Sequence, residues 1–74
     1  MTYRAGDVRP GKCFTTGGEG RPQVRRVCSV SGGMVVYEGR DPKSRKGVWS
    51  ARAEITMDNF LADAVREVGC DYAG

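Results

Sequence analysis

The chain contains no histidine, and it is sparing with several other residues on which common chemistries depend. Without histidine, a cysteine–histidine nucleophilic pair cannot be assembled within the chain, and a metal site has only thiolates and carboxylates to draw on. The three cysteines, Cys13, Cys28 and Cys70, cannot all pair with one another, and their spacing fits no zinc motif of the Cys-x-x-Cys kind. They read as free, reduced thiols, with Cys13 and Cys28 as small apolar residues of strands and Cys70 exposed and oxidisable. No apolar run approaches the roughly 18 residues of a membrane span. The segment from Met1 to Asp7 has no apolar stretch able to act as a signal peptide. The expectation is a cytoplasmic protein with no membrane partner, no metal and no cofactor.

What is present suits one small folded unit. A length of 74 residues leaves room for a single domain, and a hydrophobic content of 39% with 28% charged residues sets the chain apart from disordered segments. The net charge of +3 is unevenly spread. Residues 21–52 carry Arg21, Arg25, Arg26, Arg40, Lys43, Arg45, Lys46 and Arg52 against only Glu38 and Asp41, a local balance of +6. Residues 53–74 carry Arg66 against Glu54, Asp58, Asp63, Glu67 and Asp71, a balance of −4. Such a layout fits either an anion-binding surface or two halves that attract each other within one fold.

Hydrophobic periodicity and turn residues divide the domain of residues 1–74 into an irregular lead-in (1–11), a β-sheet (12–55) and a C-terminal helix (57–68). The lead-in ends in the Pro10-Gly11 turn signal. Residues 12–16 have the β-branched and aromatic content of a short strand, stopped by the glycine cluster of residues 17–20. In the second strand, residues 23–30, Val24, Cys28 and Val30 share one parity and Val27 the other, which calls for a bulge or bend near Arg26. Gly32-Gly33 marks a hairpin to the third strand, residues 34–38. A long polar loop over residues 39–47 leads to a fourth strand, residues 48–55, in which Trp49, Ala51, Ala53 and Ile55 alternate as a core face. Thr56 is a suitable helix N-cap and Gly69 a suitable C-terminal stop, with Phe60, Leu61, Ala64, Val65 and Val68 forming one apolar stripe.

The run from the bent valine-rich strand at Val24-Arg25-Arg26-Val27 through Gly32-Gly33 to Met34-Val35-Val36-Tyr37-Glu38 resembles the central hairpin of small SH3-like barrels, including those of KOW and Tudor type. The resemblance covers residues 12–55 and carries no binding signature of any one family. It implies a mainly β fold with one C-terminal helix, the sheet curled into a small, partly open antiparallel barrel. It implies nothing about function.

Motifs for chemistry are weak. Gly6 to Cys13 fits the spacing Gly-x-x-x-x-Gly-Lys of a phosphate-binding loop, but Cys13 stands where a serine or threonine is needed. A strand-like run also follows where a helix should. Asp58, Asp63 and Glu67 lie on a helix flank and read as a solvated surface. A domain this small seldom builds the sheltered pocket that acid–base chemistry requires, so the expectation is a noncatalytic binding module. Its candidate contacts to RNA or DNA are Arg21, Arg25, Arg26, Arg40, Lys43, Arg45, Lys46 and Arg52, with Tyr37 as a stacking aromatic and Trp49 as a core residue. The alternative is a protein-interaction module that uses an exposed strand edge, such as residues 12–16, or the acidic helix flank, the chain being a monomer or a weak dimer.

Overall fold

A computed structural model describes residues 3–17, 22–43 and 48–73. They form a five-stranded antiparallel sheet with one helix. The strands are β1 (Cys13–Thr16), β2 (Val24–Ser31), β3 (Met34–Arg40), β4 (Ala53–Thr56) and β5 (Ala64–Val68), and helix α1 (Met57–Asp63) lies between the last two. Their order across the sheet is β4-β3-β2-β1-β5, and the sheet is not closed into a barrel. No helix among the described residues is long and apolar enough to cross a membrane.

Glycines set the tight connections. Arg9 accepts a hydrogen bond from the Lys12 amide across Pro10 and Gly11, and Gly11 has φ +88°, the geometry of a type II turn with proline at its second position. Gly32 (φ +57°) and Gly33 (φ +77°) both take left-handed backbone, as a type I′ hairpin between β2 and β3 requires. The register of that hairpin slips between Val27 and Ser29, so Cys28 is the extra residue of a bulge. The expected bend near Arg26 is absent: Val24 and Val27 stay on opposite faces of the sheet, both buried, and the bulge instead brings Val27 and Val30 to one face. The lead-in is partly regular, with a short 3₁₀ turn at Ala5–Asp7.

Cross-strand partners share a face of the sheet, so the register assigns each side chain to one of two sides. Phe14, Arg25, Val27 and Tyr37 lie on the side that α1 covers. There Val8, Phe14, Val27, Val35 and Phe60 form the core, flanked by Tyr3, Val30, Ile55 and Leu61. Phe14 meets Phe60 edge-on with ring centres 5.7 Å apart, and Tyr3 meets Phe14 in the same manner at 5.3 Å. Cys13, Val24, Arg26, Glu38 and Arg40 lie on the other side.

Four expectations need correction. The helix expected over residues 57–68 ends at Asp63, and its second half, Ala64–Val68, is strand β5 paired with β1. The Thr56 cap does hold, its hydroxyl accepting from the Asn59 amide. An acidic residue in the last helical turn, with no basic one there, opposes the helix dipole, whereas β-branched Val65 and Val68 suit a strand. The strand expected over residues 48–55 spans only Ala53–Thr56, with Ala51 and Ala53 exposed and Trp49 outside the core. Residues 12–16 are not an edge, because β1 is paired on both sides. Finally, Cys13 and Cys70 are joined by a disulfide, leaving Cys28 as the free thiol.

The disulfide closes a loop with a sequence separation of 57 residues. On chain-entropy grounds such a link is worth about 4 kcal/mol. Denaturant titration should show a loss of that order in Cys70→Ser or under reductant. Phe60→Ala, which empties the middle of the aromatic cluster, should cost about 3–5 kcal/mol in the same assay.

Candidate binding groove

Strands β1 and β3 end, and β2 and β5 begin, at one end of the sheet. An open groove of about 890 Å³ lies there, its walls including Thr15, Thr16, Gln23, Lys43, Arg66 and Tyr72. Local hydrogen bonds fix its sides. The Thr16 amide donates to the Gln23 carbonyl, and the Gln23 amide donates back to the Thr16 hydroxyl at 3.0 Å. The Ser50 amide donates to the Gly39 carbonyl, and the Gly39 amide donates to the Ser50 hydroxyl, which draws residues near 50 alongside β3. Gly39 leaves room for this arrangement, since a Cβ there would stand 3.2–3.3 Å from the Gln23 amide group.

The remaining wall is the chain after β5. Arg40, only 4% exposed, donates through Nη2 to the carbonyls of Cys70 and Tyr72, both at 2.7 Å, and through Nη1 to that of Asp41. The Cys13–Cys70 bond fastens the same segment to the first residue of β1. Tyr72 is thus held in the groove wall, where its hydroxyl accepts from Arg66 Nη2 at 2.9 Å. Arg40, Lys43 and Arg66 face this space against one carboxylate, that of Asp41. The lining is apolar over most of its area, with Pro22, Pro42, Val65 and the Tyr72 ring, and sets among these the cations, hydroxyls and an amide able to hydrogen-bond an anionic ligand.

The basic residues singled out from the sequence are distributed among several sites. Arg21, Arg45 and Lys46 lie outside the described residues. Arg40 and Lys43 line the groove. Arg25 is on the helix side, its guanidinium 3.2 Å from the Asp63 carboxylate and 4.5 Å from the centre of the Tyr37 ring. Tyr37 also packs edge-on against Phe60, so its ring belongs to the flank of the core. On the opposite side Arg26 bonds Glu38 at 2.7 Å and lies 4.3 Å over Trp49, the ring that Arg40 approaches at 5.2 Å. Trp49 is therefore a platform for two arginines, an arrangement in which the ring quadrupole offsets their like charge. Arg52 is exposed.

The acidic flank is partly consumed within the fold, Asp63 by Arg25 and Glu67 by Lys12 at 3.2 Å. Among the described residues no group of three or more cysteine or carboxylate side chains could hold a metal ion. Arg66 and Tyr72 escape a reading by charge runs because they sit in the acidic segment. The one available signal is that Arg66 is the sole cation after residue 52.

Two groups on the Trp49 side have displaced pKa values. The hydrogen bond from Arg26 holds the Glu38 carboxyl below the usual carboxylate range. Burial, followed by the hydrogen bond from Cys28 Sγ to Glu38 Oε1 at 3.4 Å, pushes the Cys28 thiol up. A depressed carboxyl stabilises the fold above its unfolded pKa, and that stabilisation is lost as pH falls through the folded value. Acid titration should therefore show a stability decline below the ordinary carboxylate range that is shallower in Glu38→Gln. Alkylation of Cys28 should be slow at neutral pH and faster in the same variant. No protein-family model, no curated protein and no solved structure matches this chain, so its functional reading stands on the groove itself.

Proposed function

We propose that the protein is a noncatalytic binding module that takes a single-stranded nucleic acid, RNA or DNA, in the groove at the end of the sheet. The observation that carries the reading is the groove's lining: Lys43 and Arg66 at the rim, Arg40 in the wall, one opposing carboxylate and the Tyr72 ring, in a space of about 890 Å³. Chain connectivity adds to it. Arg21 is bonded directly to Pro22 of the groove wall, and Arg45 and Lys46 follow Lys43 by two and three residues. Of the eight basic residues picked out by charge, Arg40 and Lys43 are in the lining itself.

Hydroxyl and amide groups of Thr15, Thr16 and Gln23 provide hydrogen bonds to phosphate or sugar, and a tyrosine face accepts a base by stacking. Arg25 and Arg26 stand outside this reading because each is already paired with a carboxylate. An SH3-like affinity of the sheet is a compatible architectural reading, since such small β domains also present ligands to a surface between loops.

Titration of the protein with a short single-stranded oligonucleotide tests the proposal. Amide resonances of Thr15, Thr16, Gln23, Lys43 and Arg66 are expected to move while those of α1 stay in place. With about four phosphates neutralised, affinity should fall about 50-fold between 50 and 200 mM salt. Paired charge reversal at Arg45 and Lys46 should remove most of the binding without loss of fold. Absence of shifts at low ionic strength for both RNA and DNA overturns the reading.

A further inference from the structure

Residues 69–73 are fastened to the domain in a different way from the rest of the chain. Among the described residues none after Phe60 is fully buried, so this tail supplies no core side chain. β5 before it is held by the ladder to β1, by the Glu67 amide bonded to the Tyr3 hydroxyl and by the Lys12–Glu67 pair. Beyond Val68 the fastenings change in kind, to the Cys13–Cys70 bond and the two hydrogen bonds that Arg40 Nη2 donates. These two are coupled. One acceptor of Arg40 is the carbonyl of the cross-linked residue itself, and the other lies two residues further on. The covalent bond therefore sets both carbonyls against a guanidinium that, without it, would have to order a chain end by hydrogen bonds alone.

We propose that the Cys13–Cys70 bond is a redox switch for the groove: a dithiol reductant releases residues 69–73 as a mobile strap, and the groove loses the wall that Tyr72 forms. The consequence for binding rests on the groove reading above, whereas release of the strap does not. Cys13 is only 1% exposed and Cys70 is half-buried, so the reagent's thiolate attacks Cys70 Sγ. The bond between the two cysteines breaks, and its electron pair leaves on Cys13 Sγ, which takes a proton. The second thiol of the reagent then displaces Cys70 as a thiol and the reagent departs as a disulfide, two electrons and two protons having passed to the protein. The core residues Val8, Phe14, Val27, Val35 and Phe60 all precede the strap and do not depend on it. Its release is therefore a local opening of the least buried end of the chain, with the sheet left standing.

Nuclear spin relaxation of the full chain, oxidised and in excess dithiothreitol, tests it, with Cys28→Ser introduced to remove the free thiol and prevent rearrangement. On reduction the backbone order parameters of Asp71 to Ala73 should fall below about 0.6 while those of the five strands stay at about 0.85. Exchange of the Arg40 guanidinium hydrogens should quicken at least about tenfold as their carbonyl acceptors leave. Affinity for a short single-stranded oligonucleotide should drop at least about fivefold, the loss of one stacked base. Tyr72→Ala keeps the cross-link and should lower the affinity of the oxidised protein by as much, and reducing that variant should add little. Reoxidation with a small disulfide should restore order and affinity together. A reduced strap that keeps its order overturns the proposal, and so does a sheet that unfolds with it or an oligonucleotide bound equally by both redox forms. Failure of both forms to bind overturns the groove reading and the regulation built on it, while the order parameters alone decide the release of the strap.

Discussion

The fold depends on how the chain after α1 is brought back to β1. That strand has four residues, yet it carries Phe14 at the centre of the aromatic cluster, so it needs a partner on each side to satisfy its backbone. β2 supplies one. The other is β5, held at its start by α1 and beyond its end by the Cys13–Cys70 bond. The covalent link and the Arg40 guanidinium act on the same short segment from different strands, one from β1 and one from β3. A domain of this size has too small a core to fix its terminal strand by apolar burial alone, and a cross-link of long span is a common remedy.

Arg40 links that constraint to the groove. A buried guanidinium is costly unless its donors are met, and here main-chain carbonyls of Cys70, Tyr72 and Asp41 meet them while the Trp49 ring approaches from the side. Three cations of the positive middle are thus engaged within the fold. Arg25 reaches the helix end at Asp63, Arg26 reaches Glu38 and Arg40 holds the tail. The opposition between a basic middle and an acidic end is in part an attraction within the fold, as Arg25–Asp63 demonstrates directly. Two of the exposed cations, Lys43 and Arg66, lie at the sheet end where the groove opens.

Local signals made the hairpin legible. Gly32-Gly33 permits few turns other than the one observed, whereas Val24 and Val27 keep opposite parities because both faces of the sheet bury a valine there, and the extra residue Cys28 aligns Val27 with Val30. The Thr56 cap is equally local. The misreadings arise where local pattern and tertiary partner disagree. Phe60, Leu61, Ala64, Val65 and Val68 satisfy a helical stripe, but pairing with β1 outweighs it from Ala64 onward. Trp49 alternates correctly with Ile55, yet residues 48–52 leave the strand, and the indole meets Arg26 and Arg40 instead of the core. Neither the Cys13–Cys70 pairing nor the reach of Arg40 to the tail could be read from spacing, because both are contacts between residues far apart in sequence. The groove shares that origin, since its walls come from four strand ends and the tail.

An open sheet must manage two edges, and this chain treats them by different means. At β5 a side chain from the lead-in, Tyr3, reaches across to bind an edge amide while its ring packs on Phe14, so one residue serves both the edge and the core. At β4 the strand is short, and its outward-facing residues are Glu54 and Thr56. Elsewhere on the sheet Arg25, Arg26 and Glu67 each have an ion-pair partner. Glu54 on β4 has no such partner among the described residues. Because the sheet does not close into a barrel, β4 and β5 remain separate edges, each paired with one neighbouring strand.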